Sequence, residues 1–385
     1  MINLSTEDKK YFLDIWQKID KKMEKVAVRS FDKIPYTTVD GVHDNREDTD
    51  WWTNGFWPGL MWIMYCQTKN EQYKKTAINA ENILRKALHE MTDVLHHDVG
   101  FMWNISSGVH YRLTKDKQAL CDELLAAHIL FGRYNLKGGY IRAWNPWNDG
   151  GDDHKGWTII DCMMNLPLLY RATEITDDER FTYIAKAHAD KTMKYHVRED
   201  GSVKHIVNYN PYNGEYIENF GGQGYDENSS WSRGQAWGLY GFILSYIHTK
   251  EEKYLNTAKK IANYFISCLS MDKDYLPLCD FRAPKTPVFY DSTAGACAAA
   301  GLIEIANCVS EYEKPLYLNA AIKLLKAMTE KFVDFAEDTD ALTGYGTEAY
   351  HIENTRHRPI IYGDYFYIEA IYKLINEKKN DMLFW

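Results

Sequence analysis

The sequence is short of several features that would have assigned it quickly. No apolar run approaches the roughly 20 residues that cross a bilayer, so a membrane span is excluded. The start, MINLSTEDKKYFLDIW, lacks the basic end and apolar centre of a secretory signal. Seven cysteines, an odd number with no CxxC spacing, read as free thiols of a reducing cytoplasm. Histidines show no HExxH or similar ligand spacing, so no metal site or cofactor is expected. Positive charge is not in excess: the net charge of −9 argues against nucleic acid as a partner. No Pro/Gly/Ser-rich linker or low-complexity tract divides the 385 residues, which are therefore read as a single domain, 1–385.

What is abundant is aromatic. Phe, Trp and Tyr make up 14% of the chain, with 28 tyrosines and 12 tryptophans. Flat faces with polar rims suit sugar rings, although many such residues serve a core. Hydrophobic periodicity gives helices nearly everywhere and few strands. Within them an aromatic followed four residues later by alanine recurs, at Tyr73/Ala77, Phe181/Ala185, Tyr254/Ala258 and Tyr317/Ala321. DKQALCDELLAAHIL is a looser fifth copy. That spacing puts both residues on one helix face, where the small one permits close packing. A more apolar helix precedes each copy, among them NGFWPGLMWIMYCQ, GFMWNISSGVHYRL and WTIIDCMMNLPLLYRA. About twelve helices in six pairs predict an all-α fold, a closed (α/α)6 barrel with a pocket at one end of its inner ring.

Six loop-to-helix junctions mix acids, aromatics and glycines: DTDWWTNGFWPG, HHDVGFMW, DDHKGWTIIDCMMNLP, GGQGYDENSSWSRGQAWG, VFYDSTAGA and RPIIYGDYFY. Helix N-termini, with unpaired backbone N–H groups, favour negative charge there. Asp98 reads either as an N-cap or as a pocket acid. Asp161 sits among apolar residues, where a carboxyl needs a partner or a raised pKa, and reads as a pocket acid. Pro167 is expected well inside the same helix, as a kink. Arg233 offers five donors for a carboxylate or sulfate, or else pairs at the surface with Asp226 or Glu227. His205 serves either substrate or structure. Trp231 and Trp237, six residues apart, need not both be core.

WTNGFWPG, HHDVGF, DCMMNLPLLYRA, GGQG…WSRGQAWG and YGDYFYIEA, in this order over about residues 50–375, resemble the unsaturated glucuronyl hydrolases of glycoside hydrolase family 88. The resemblance implies a six-hairpin barrel acting on unsaturated di- or oligosaccharides released from glycosaminoglycans, with water as co-substrate. It implies acid-catalysed hydration of the C4=C5 enol ether, with Asp161 as proton donor and water activator and Asp98 as its carboxyl partner. His205, Gln223 and Arg233 become polar contacts to the uronic acid, Trp52, Trp231 and Trp237 apolar walls, and Tyr350 a contact from the last long loop. Members that prefer sulfated sugars carry Ser and Lys in that loop. Here residues 346–360 present His351, Arg356, His357 and Arg358, which either meet a sulfate or balance Glu348 and Glu353.

Three other readings stand beside this one. An unsaturated rhamnogalacturonyl hydrolase shares barrel and chemistry, but its acid is followed by an aromatic–Met pair where Asp161 is followed by CMMNLP. A sugar isomerase or epimerase would need paired pocket histidines, and only His205 is well placed in the sequence. A helical-repeat scaffold without activity leaves the junctions unexplained.

Overall fold

The computed structural model describes residues 4–45, 48–146, 154–376 and 384–385. Thirteen α-helices among these residues form two concentric rings. The outer ring is α1 (Thr6–Arg29), α3 (Glu71–Glu90), α6 (Lys117–Gly132), α8 (Arg180–Tyr195), α10 (Glu252–Leu269) and α12 (Lys314–Phe332). The inner ring is α2 (Phe56–Thr68), the broken pair α4 (Val99–Trp103) and α5 (Ser107–Thr114), α7 (Leu166–Thr176), α9 (Ser232–Thr249), α11 (Ser292–Cys308) and α13 (Ile361–Ile375). α13 packs against both α2 and α1, so the last helix closes the barrel on the first. The (α/α)6 barrel expected from the repeat is the fold observed.

Burial explains which helix went where. α1 buries one stripe, Phe12, Ile15, Trp16, Ile19, Met23 and Val26, the pattern of a helix with one apolar face. α11 buries every residue from Ser292 to Ile303, because it is enclosed on all sides. Its small residues let neighbours close in: a Cβ on Gly301 would sit 2.6 Å from Leu239 Cδ1. The aromatic–alanine pairs are the inward faces of the outer helices. Tyr73, Ala77, Phe181, Ala185, Tyr254, Ala258, Tyr317 and Ala321 are all buried. No helix among the described residues is long and apolar enough to cross a membrane.

The two ends of the barrel differ. At one end four inner helices stop on a left-handed residue, Lys69, Lys115, Asp177 and Lys250, with φ between 58° and 61°. Each caps its helix and turns the chain within two or three residues into the next outer helix. At the opposite end the returning connections are long, and they carry the acids, tryptophans and glycines. The larger cavity forms there, walled by those long connections.

Three local expectations need correction. Trp157–Ile159 is not helical but a strand, in register with Ile206–Tyr209, which pairs in turn with Tyr216–Phe220. The chain then passes through a 3-10 turn, Ile160–Met164, before α7 begins. Pro167 therefore lies in the first turn of α7 and kinks nothing, because its missing N–H would be unpaired there anyway. Lastly, GFMWNISSGVHYRL is two helices, not one.

Close backbone contact holds the second junction against the first. A Cβ on Gly55 would fall 2.2 Å from the carbonyl oxygen of Phe101 and 2.4 Å from Met102 Cα. Gly55→Ala is expected to cost about 2–3 kcal/mol, since backbone on both sides must move. Urea denaturation would check it; an unchanged midpoint would show that α4 shifts freely.

Candidate active site

A cavity of about 700 Å³ opens at the long-loop end. Four of the six junctions reach it: Trp51 and Trp52 from the first, His96, His97 and Asp98 from the second, Ile159 and Asp161 from the third, and Gln223 from the fourth. The acids of the other two junctions are structural. Asp291 caps α11 through the Thr293 N–H at 3.1 Å. Asp364 accepts the Leu342 N–H at 2.9 Å and the Thr343 N–H at 2.7 Å.

Both predicted acids line the cavity. Asp161 is carried by the 3-10 turn, whose tight winding presents the carboxyl to the cavity while Ile160 and Cys162 stay buried. Its Oδ1 is buried without a hydrogen-bond partner, and His205 Nε2 stands 3.8 Å away. Burial pushes its pKa up to about 7, against the opposing pull of the Arg233 charge, its own backbone N–H and the nearby Trp237 indole. The Trp237 N–H lies outside hydrogen-bond geometry, and its nitrogen is likewise unpartnered.

Asp98 makes no capping hydrogen bond to α4, so the N-cap reading fails. Its Oδ1 instead accepts from Asn165 Nδ2 at 3.0 Å. Its pKa is raised well above the ordinary carboxyl value by burial and by the charge of Asp161, with Asn165 and Arg133 acting the other way. With Asp161 opposing the ionisation of Asp98 in this way, the pair is suited to keeping a proton at neutral pH.

Histidines crowd this wall. His96 Nδ1 and His97 Nε2 each lie 3.4 Å from Asp98 Oδ2. The three ligand atoms fall within 4.8 Å of one another, a grouping that could hold a metal ion and that no motif spacing had suggested. The premise that only His205 is well placed is thus corrected: His96 and His97, next to Asp98 in the chain, line the cavity as well. Burial lowers the pKa of His96 to about 4 and of His205 to about 3, and holds that of His97 well below the ordinary imidazole value, so all three are neutral imidazoles.

The remaining predicted residues divide into wall and support. Trp52 lines the cavity, tilted over Tyr362 with ring centroids 5.2 Å apart. Gln223 lines it too, its backbone N–H donating to His205 Nδ1 at 3.1 Å and its side chain to the Glu348 carbonyl at 2.9 Å. His205 is buried behind Asp161 and packs on Trp231, 4.3 Å between centroids.

Arg233 is neither on the surface nor at the cavity wall. It is 1% exposed, paired with Asp291 and donating to the carbonyls of Thr347 (2.6 Å) and Glu348 (2.7 Å), with Trp231 stacked at 4.4 Å. The surface pair with Asp226 or Glu227 does not form. Its charge reaches Asp161 through low-dielectric surroundings even though its donors do not reach the cavity. Trp231 and Trp237 both belong to the core; Trp237 packs on Phe101 and Phe366 beneath the cavity. Tyr350 is buried against Tyr225 and Phe289, outside the wall.

The late-loop bases are engaged by their own and neighbouring loops. Arg356 donates to the Tyr350 carbonyl at 2.9 and 2.6 Å. His351 bonds the Tyr225 carbonyl, and His357 accepts the Tyr290 N–H. Arg358 lies over Tyr36 and 3.9 Å from Glu348. None is among the lining residues. Sequence reasoning missed Trp144, Asn145 and Pro146, which wall the far side. The run AWNPW, rich in Trp and Pro in a polar loop, was the available signal.

No family model matches the chain. Over 350 residues it is 35% identical to an unsaturated glucuronyl hydrolase of Bacillus sp. (strain GL1), covering 89% of this chain and 91% of that protein. Over 357 residues it is 32% identical to an unsaturated chondroitin disaccharide hydrolase of Streptococcus pneumoniae, covering 90% and 87%. The solved structure of the Bacillus sp. GL1 hydrolase, described as responsible for glycosaminoglycan degradation, superposes with a TM-score of 0.87 at 32% identity, over 94% of this chain and 97% of that one.

Proposed function

The chain belongs to the unsaturated glucuronyl hydrolase family, and from that premise we propose that it removes unsaturated glucuronic acid from the non-reducing end of glycosaminoglycan fragments made by a lyase. The observation that carries the reading is the pair of proton-holding acids, Asp98 and Asp161, on the wall of one cavity.

The substrate's C4=C5 bond is conjugated with the ring oxygen as an enol ether. Asp161 in its acid form gives its proton to C4, leaving positive charge shared between C5 and the ring oxygen. Water adds at C5 as the Asp161 carboxylate takes one of its protons, so the acid is regenerated. The hemiketal at C5 opens to a ketone, and the hemiacetal left at C1 expels the aglycone without attack on C1. An ordinary carboxyl would be ionised at neutral pH; one with a pKa of about 7 is half in the donor form and half in the acceptor form. The side chain of Gln223 orients the sugar, Trp52 offers it an apolar face, and neutral His205 stands behind Asp161. Arg233, Trp231 and Trp237 act from behind the wall. The free thiols, four of them buried, suit action in the cytoplasm.

The test is direct. Hydration of C4=C5 abolishes the near-edge ultraviolet absorbance of unsaturated uronic acids. Absorbance should fall with a chondroitin, hyaluronan or heparin disaccharide, and turnover should drop about tenfold per unit above pH ~7 as the donor form of Asp161 is lost. Activity confined to unsaturated galacturonyl-rhamnose would move the substrate to pectin fragments. Unchanged absorbance with an isomerised free sugar would end the hydration reading.

A further inference from the structure

Asn165 is fully buried, at the joint between the 3-10 turn that carries Asp161 and the start of α7. All three of its amide contacts go to the two acid-bearing segments. Nδ2 donates to Asp98 Oδ1 at 3.0 Å and to the Asp161 backbone carbonyl at 3.2 Å, while Oδ1 accepts the Phe101 N–H at 2.8 Å. This pattern fixes the orientation of the amide. Turned over, it would set NH2 against the Phe101 N–H and oxygen against two oxygens. Gly100 makes the approach possible, since a Cβ there would lie 2.6 Å from Asn165 Cα.

We propose that Asn165 is a positioning residue for the acid pair: it ties Asp98 to the Asp161 segment and, by occupying Oδ1 of Asp98, turns Oδ2 toward the cavity. The inference rests on the hydration reading and deepens it. Oδ1 already accepts a fixed N–H, so a proton there would face a donor. Oδ2 faces His96 Nδ1 and His97 Nε2, the cavity side. Asp98 is thereby held with Oδ1 toward the core and Oδ2 toward the cavity. The charged or titratable groups around this point are Asp98, Asp161, His96, His97, Arg133, Cys162, His205 and Arg233.

Asn165→Asp keeps the shape and the acceptor for the Phe101 N–H but removes both donors. At the alkaline pH where the introduced carboxyl is ionised, kcat should fall about 100-fold or more with KM within about threefold, because the acids are displaced while the sugar contacts remain. On acidification the introduced carboxyl regains an O–H that can donate to Asp98 Oδ1. The activity ratio of variant to wild type should therefore rise at least about tenfold by about pH 5. Asn165→Ser, which can supply one donor at most, should lose kcat without that recovery. A flat ratio across pH, an unchanged kcat, a loss carried in KM, or failure of both variants to fold would overturn the proposal. Wild-type enzyme on the same disaccharide separates the two readings. Inactive wild type defeats hydration itself, whereas active wild type beside a normal Asn165→Asp defeats only this inference.

Discussion

Asp161→Asn is expected to stop turnover and to make the protein more stable. The loss of activity should be at least about 10³-fold, because an amide can neither donate a proton to C4 nor take one from water. The gain in stability follows from linkage. In the unfolded chain this carboxyl titrates near 3.9, whereas in the fold burial holds it at about 7. Between those values the folded state keeps a proton that the unfolded state releases. Wild-type stability therefore falls as pH rises through that window and is unaffected by this group below it. An amide carries no such penalty. The variant should match wild type near pH ~4 and exceed it by roughly 1–4 kcal/mol at pH ~7 and above, an order-of-magnitude figure. Urea denaturation of both proteins at several pH values would measure it. Equal midpoints at about pH 8 would mean that Asp161 ionises freely, and that its proposed role as a neutral-pH donor is wrong.

The second large effect belongs to a residue outside the cavity. Arg233→Met is expected to destabilise the fold by about 3–5 kcal/mol, the cost of leaving one member of a buried ion pair alone. Asp291 would lose its counter-charge, and the carbonyls of Thr347 and Glu348 would lose their donors. Arg233→Lys should recover only part, since one ammonium cannot reproduce the guanidinium's planar set of contacts. Adding Asp291→Asn to Arg233→Met should restore some stability, and a double-mutant cycle would read the coupling. Where these variants fold, the alkaline limb of the rate profile should move above that of wild type. Arg233 is the leading influence holding Asp161's pKa down. A large rise in KM with an unmoved limb would instead place the guanidinium against the substrate.

Much of the barrel could be read without coordinates. Aromatic–alanine spacing and fully apolar partner helices reflect burial, and burial follows from local periodicity once helices stack in a ring. The acids at the second and third junctions were legible for a related reason: a carboxyl set among apolar residues is conspicuous against the cost of hiding it. Other features depend on partners far along the chain. Trp157–Ile159 looked helical because its apolar run suits either state; pairing with Ile206–Tyr209 decided for strand. Pro167 moved from a kink to a helix start for the same reason.

The sequence by itself determined the ring of six hairpins, the end on which the long loops gather, and the two aspartates, because each is encoded in residues within a few turns of one another. The tertiary structure alone decided how those parts meet. It withdrew Arg233, Trp231, Trp237 and Tyr350 from the cavity wall and committed the late-loop bases to their own and neighbouring loops. It also brought Asn165 onto Asp98. Hydrogen bonds and burial across 67 residues, as between Asn165 and Asp98, leave no local pattern in the chain. They are set by packing, and packing here governs the protonation on which the chemistry depends.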